Sequence, residues 1–169
     1  MSASLDAVDV AISWDPATNS GDWTISNGDL ALGNPLQSAV LISLFTDRLA
    51  PEEVAGDAAQ VGIQPQSDGD RRGWWGDAFD DRKTLIGSRL WQVQRAIKAN
   101  ATSVPRVIEA FCNEALQWLK DDGVASAVST SAAWAPGSRT RVDFVVTVTQ
   151  PTQSSAEQFK FSLVWEGLV

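Results

Sequence analysis

Near its start the chain alternates, with Val8, Val10, Ile12 and Trp14 on one side and polar or small residues between them. Such alternation predicts a half-buried strand, which Asp15-Pro16 ends. Residues 23–26 and 29–32 then flank Asn27-Gly28, a pair that readily takes the two positive φ angles of a tight hairpin turn. Asn34-Pro35 predicts a helix start: a capping acceptor, then a proline whose missing N–H costs nothing in the first turn. The helix body, residues 36–48, carries Ala39, Val40, Leu41, Ile42, Leu44 and Phe45 on nearly every side. That pattern predicts a buried helix rather than a surface one.

Residues 55–69 read as one long polar loop and 150–157 as a shorter one; loops of such length in compact domains are often functional or mobile. Ser88 predicts the cap of a second helix over 89–99. A third helix follows, with Ser103 as cap, Pro105 in its first turn, a stripe of Val107, Ile108, Phe111, Ala115, Trp118 and Leu119, and Gly123 as its stop. Cys112 lies beside that stripe and reads as a small buried hydrophobe rather than a reactive thiol. From 124 the period changes to two. Residues 124–134 predict a strand, Pro136-Gly137 a turn, and two further strands follow. Val142, Phe144, Val146 and Val148 alternate along one of them, and Phe159, Phe161, Leu163 and Trp165 along the other. Their outward faces carry few charges, and the last strand predicts an unprotected edge, the kind that pairs with another chain unless covered. The fold class is therefore α+β: an N-terminal strand and hairpin, three helices and a C-terminal three-stranded antiparallel sheet. One domain over 1–169 is expected, with hairpin and helices in 1–123 and the sheet in 124–169.

Composition narrows the chemistry. The 169 residues are 44% apolar and 20% charged, as in globular proteins. Histidine is absent, which excludes Ser-His-Asp and Cys-His nucleophiles, a His-ligated zinc and an imidazole base. A single cysteine permits no internal disulfide. No apolar run approaches the roughly 20 residues that span a bilayer, and positions 1–10 lack a basic region followed by an apolar stretch, so neither membrane nor secretory signal is expected. A net charge of −8 disfavours nucleic acid. The charge is uneven: residues 1–81 hold 14 acids and 3 bases, residues 82–169 hold 7 acids and 10 bases. The acid-free stretch 82–106 (Arg82, Lys83, Arg89, Arg95, Lys98, Arg106) reads either as a solvated helix face or as the basic pole of a dipolar subunit that meets a neighbour's acids.

Eight tryptophans occur with no tyrosine. Most sit in periodic segments and predict core; Trp74 and Trp75 sit among glycines and charges, as a self-contained loop or as an interface anchor would. Asp77, Asp80 and Asp81 have helix-like spacing but no calcium-loop pattern, so pairing with Arg71, Arg72 or Arg82 is the expected role. Glu52-Glu53, and Glu109 with Glu114, show no acid–base pair of the glycosidase kind, and no phosphate-binding glycine pattern appears. No cofactor or metal is expected.

Three motifs carry a resemblance: Leu41-Ile42-Ser43-Leu44-Phe45-Thr46-Asp47-Arg48, Asp70-Arg71-Arg72-Gly73-Trp74-Trp75-Gly76-Asp77 and Gly87-Ser88-Arg89-Leu90-Trp91, preceded by Gly28-Asp29-Leu30-Ala31. In this order the chain resembles the Mu-like phage baseplate family, gene product 46, related to the gene 25 wedge protein of T-even phages. The resemblance covers about 5–118, and the terminal strands agree in type. It implies a structural protein of the inner wedge of a contractile tail, found in the virion and assembled in the host cytoplasm. Its fold would resemble the inner (handshake) domain of the tail sheath, where subunits lend strands to a neighbour's sheet. The implied partners are other wedge proteins, the sheath protein and hub or tube proteins. The implied contact set is Arg48, Arg71, Arg72, Trp74 and Trp75, with Arg89 and Trp91 of the third motif. Val142, Phe144, Val146, Phe159, Phe161 and Leu163 join it on the strands offered to the sheath. Because the T-even relative has also been labelled lysozyme-like, a peptidoglycan-degrading tail enzyme is the alternative, and a generic adaptor a third reading; this chain departs from any lysozyme pattern.

Overall fold

A computed structural model of the chain describes residues 9–15, 17–18, 20–65, 70–79, 85–95, 102–151 and 153–164. Expectations resting on Val8, Pro16, Asp80, Asp81, Arg82, Lys83, Lys98 and Trp165, on the second helix past 95 and on 66–69 of the polar loop lie outside these residues.

The N-terminal alternation forms β1 (Asp9–Val10) and β2 (Ile12–Asp15), joined at Ala11. β2 pairs antiparallel with β3 (Ser20–Trp23), β4 (Ile25–Ser26) with β5 (Asp29–Leu30), and β1 with β6 (Leu32–Gly33). The three pairings meet where Ala11 N–H donates to Ala31 O, Thr24 N–H to Ala11 O and Ala31 N–H to Thr24 O, at 2.8–2.9 Å. Asn27 and Gly28 take φ 52° and 82°, the left-handed pair the hairpin turn requires.

Helix α1 (Pro35–Phe45) starts as its sequence demands: Asn34 Oδ1 accepts from the Leu36 N–H at 2.9 Å, with Pro35 in the first turn. It stops at Phe45 rather than 48, because Thr46 is extended (φ −83°, ψ 139°) while its N–H still bonds Ile42 O. The released segment 46–50 lies beside residues 87–88. Ser88 N–H donates to Thr46 O and Arg48 N–H to Ser88 O, both at 2.9 Å, in a parallel bridge. Gly87, at φ 92°, makes the approach possible; a Cβ there would collide with the Thr46 carbonyl oxygen.

The described residues form five α-helices where the sequence pattern predicts three. The 55–69 segment is not uniformly loop: α2 (Gly56–Gln60) forms within it, and Val61 and Ile63 are buried behind it. Their apolar side chains, with Ala58, are packed against the core. After α3 (Leu90–Arg95), the third expected helix divides into α4 (Val104–Ala115) and α5 (Gln117–Asp121) at Leu116, φ −100° and ψ 3°. The break lets Leu116 and Leu119 both be buried, and the Trp118 indole N–H reaches Ser43 Oγ at 3.0 Å. Ser103 makes no side-chain cap; its carbonyl instead accepts from the Val107 N–H.

The C-terminal sheet is antiparallel in the order β7 (Ala127–Trp134), β8 (Arg141–Thr149), β9 (Glu157–Val164). Val142, Phe144, Val146, Val148 and Leu163 face a shared core with Val40, Leu44, Val107, Ile108, Phe111 and Leu119. Cys112 is buried in the same cluster, and burial, then the charge of Glu109, push its thiol pKa far above the usual range.

Replacing Asn34 with Ala removes the α1 cap and should cost about 1 kcal/mol of stability, read from urea unfolding. Gly87→Ala should cost about 3 kcal/mol. A loss no larger than that of Asn34→Ala would show that the 46–88 bridge yields.

Candidate functional site

The three motifs, remote in sequence, converge where the end of α1 meets the start of α3. Arg48 donates from Nη1 to Leu85 O and lies 3.6 Å from Glu114. Arg89 donates to the other oxygen of Glu114 at 2.9 and 2.8 Å and stands 4.0 Å over the Phe111 ring. Trp91 is buried, its indole N–H donating to Arg48 O at 3.0 Å, and the Arg72 guanidinium covers its ring at 4.7 Å. Glu114, which the sequence reading weighs only as half of an acid–base pair with Glu109, thus joins two motifs. Its only sequence signal is a carboxylate placed between the apolar positions of the α4 stripe.

The sequence pattern assigns Arg71 and Arg72 to Asp77, Asp81 or a neighbouring subunit. Instead Arg71 bonds Ala50 O at 2.8 Å and Glu52 at 3.0 Å, and Arg72 bonds Asp47 at 2.5 Å. The reason is backbone direction: Arg72 (φ 52°) and Gly73 (φ 100°) form a left-handed pair, so adjacent side chains diverge toward two places on the 47–52 segment. Asp77 turns the other way and accepts from the Ile86 N–H at 3.1 Å. The arginines and Trp91 therefore build this protein's own scaffold. Of the basic stretch, Arg89 is matched internally by Glu114, which removes it from any neighbour-facing basic pole.

On this scaffold stand three exposed rings. Trp74 is 40% exposed, Trp75 76% and Phe79 80%. Trp75 lies 5.5 Å from Trp74 and 6.1 Å, edge-on, from Phe79. A 3-10 turn, Trp75–Phe79, carries them. Gly76 lies directly beneath the Trp74 indole, so close that a Cβ would run into the ring. Phe79 is missed by the motif reading, although its position among acids and outside any apolar period marks it as strongly as Trp75. A contiguous exposed aromatic patch is characteristic of protein interfaces.

The C-terminal strands need a correction. The side chains of Val142, Phe144, Val146 and Leu163 are buried, and those of Phe159 and Phe161 half-buried against the core, so none of the six offers a free side chain to a partner. β8 is paired on both sides, so its backbone is committed as well. The two outer edges differ. Ala135 N–H bonds Arg141 O, which sets the alternation of the β7–β8 ladder and turns the even-numbered β7 groups outward. One of them, the Ala132 N–H, donates to Glu109 Oε1 of α4 at 2.8 Å. The same alternation turns the backbone groups of Gln158, Lys160, Ser162 and Val164 away from β8, and among the described residues no backbone hydrogen bond reaches them. Beside this edge runs a groove of about 590 Å³ lined by Ser13, Trp14, Gln37, Leu41, Lys160 and Ser162, among others.

The family described as "Phage protein GP46" matches residues 36–155. The chain is 39% identical over 124 residues to "Baseplate protein gp46" of Escherichia phage Mu, covering 73% of this chain and 76% of that one. It is 31% identical over 160 residues to "Mu-like prophage FluMu protein gp46" of Haemophilus influenzae, covering 93% of this chain and 97% of that one. The family match spans the three motifs, the Glu114 ion pairs, the exposed rings and two strands of the terminal sheet: the chain belongs to the Mu-like phage gp46 family.

Proposed function

We propose that this chain is a structural component of a phage tail baseplate, an inner-wedge protein that starts sheath assembly by offering the outer edge of β9 to a strand of the tail sheath. The difference between the two sheet edges carries the reading: β7 lies against α4, whose Glu109 takes one outward N–H, that of Ala132, while at β9 no described residue bonds the outward backbone groups. Each such bond contributes about 0.5–1.5 kcal/mol net, so several in register favour ordered addition. The name of the phage Mu relative, a baseplate protein, supports the location in the virion tail.

In this reading Trp74, Trp75 and Phe79 dock on other wedge proteins, and the ion-paired arginines hold those rings in place. Hub or tube proteins complete the expected partners; nucleic acid and membrane are not among them. The role is structural, without a cofactor and without a bond made or broken.

Converting both Trp74 and Trp75 to alanine should leave the melting temperature within a few degrees, since exposed rings add little to stability, and should abolish co-purification with the wedge proteins. Retained co-purification would remove the rings from the interface. Lys160→Pro deletes one outward N–H of β9, a substitution that edge strands tolerate. The folded variant should fail to nucleate sheath on isolated baseplates, whereas Thr130→Pro, on the opposite edge, should nucleate normally. The reverse pattern would assign the pairing to β7.

A further inference from the structure

Four large apolar side chains of the N-terminal hairpin contribute nothing to the chain's own core: Trp23 is 64% exposed, Ile25 65%, Leu30 39% and Leu32 66%. Register places them together. Ile25 pairs with Leu30, and one step across the junction of residues 11, 24 and 31 Trp23 pairs with Ile12 and Leu32 with Val10. Residues two apart along a strand, and partners across a pair, share a face, so the four lie on one side of the arm built around that junction.

The root of this arm is held firmly. Trp14 stacks on Phe45 with ring centroids 3.5 Å apart and 14° between planes, and the Ser38 hydroxyl donates to Val10 O at 3.0 Å. Between arm and α1 lies a cleft of about 520 Å³ lined by Ile12, Trp14, Trp23, Leu41, Ile42 and Phe45, among others. Ile42 of α1 is half exposed at its wall.

Charge identifies the occupant. No Lys or Arg occurs before Arg48. Asp9, Asp15, Asp22 and Asp29 stand on the arm, and no ion pair reaches any of them among the described residues. We infer that the arm and its cleft receive an apolar segment flanked by Lys or Arg on a neighbouring baseplate subunit. A second copy of this chain fits poorly, because its own exposed rings, Trp74, Trp75 and Phe79, flank Asp77 in a half of the chain that holds 14 acids and 3 bases and would set acid against acid. The inference rests on the baseplate reading but on neither β9 nor the Trp74–Trp75 patch.

A photo-crosslinking residue placed at position 25 or 32 of the full chain, expressed during tail assembly, tests it. The expected adduct joins the arm to a different tail protein, at a peptide whose apolar residues are flanked by Lys or Arg. An adduct with a second copy, an adduct with an acidic or uncharged peptide, or tails that contain the chain without any adduct would each overturn the inference. Wild-type chain missing from purified tails would overturn the baseplate reading with it. In parallel, Ile25→Ser with Leu32→Ser, and separately Asp22→Lys with Asp29→Lys, should leave unfolding unchanged and lower incorporation into tails about tenfold or more. Normal incorporation of both variants would also reject the site.

Discussion

At Ser88 two distant parts of the chain are fastened to each other. Its N–H donates to Thr46 O, its carbonyl accepts from the Arg48 N–H, and its hydroxyl donates to Leu44 O and accepts from the Leu90 N–H. Every polar group of this buried residue is matched, as burial requires. The end of α1 and the start of α3 are thereby locked side by side. Arg48 is placed so that its carbonyl meets the Trp91 indole and its guanidinium meets Leu85 and Glu114. The adjoining Gly87 has no room for a side chain. The exposed rings depend on this lock, because Asp77 at their centre is anchored to Ile86, one residue before that glycine.

The ion pairs around the lock act through geometry more than energy. Pairs that remain partly open to water contribute about 1 kcal/mol or less each, and the Arg71–Glu52 and Arg72–Asp47 pairs are of that kind. What they supply is direction: Arg71 and Arg72 bind two places on the 47–52 segment, so the turn at Gly73 projects Trp74 and Trp75 away from the body. The same chemistry that would let arginines grip a partner's carboxylates is used up within the chain.

Among the described residues, two apolar surfaces and one strand edge remain unused by the chain's own packing. The rings of 74–79 and the arm of 23–32 lie in segments with little or no contribution to the buried cluster, whereas β9 is half of the core and half of an edge. Its odd-numbered side chains hold Phe144 and Val146 in place, while no backbone bond from a described residue reaches its even-numbered backbone groups. In the proposed role, such a strand recruits a neighbour without exposing the core, since addition uses main-chain groups alone.

Local signals in the sequence suffice for the elements whose cause is local. The Asn34-Pro35 helix start, the Asn27-Gly28 turn and the period-two alternation of 142–148 and 159–163 each depend on neighbours within a few residues. The sheet and the hairpin are therefore legible in the amino-acid order alone. Tertiary structure decided what depends on partners far along the chain. The break at Leu116, the helix inside 55–69 and the end of α1 follow from burial against surfaces the sequence does not order. Which carboxylate meets which arginine is set by the left-handed pair at Arg72 and Gly73, whose turning direction no residue pattern announces. The motifs mark the right residues, and alternation marks a sheet with an open side. That Glu109 takes an N–H of one edge while no described residue does so at the other, and that Arg71 and Arg72 bond the chain's own 47–52 segment while the rings face out, are facts of packing, because they depend on which elements lie beside the sheet and the turn.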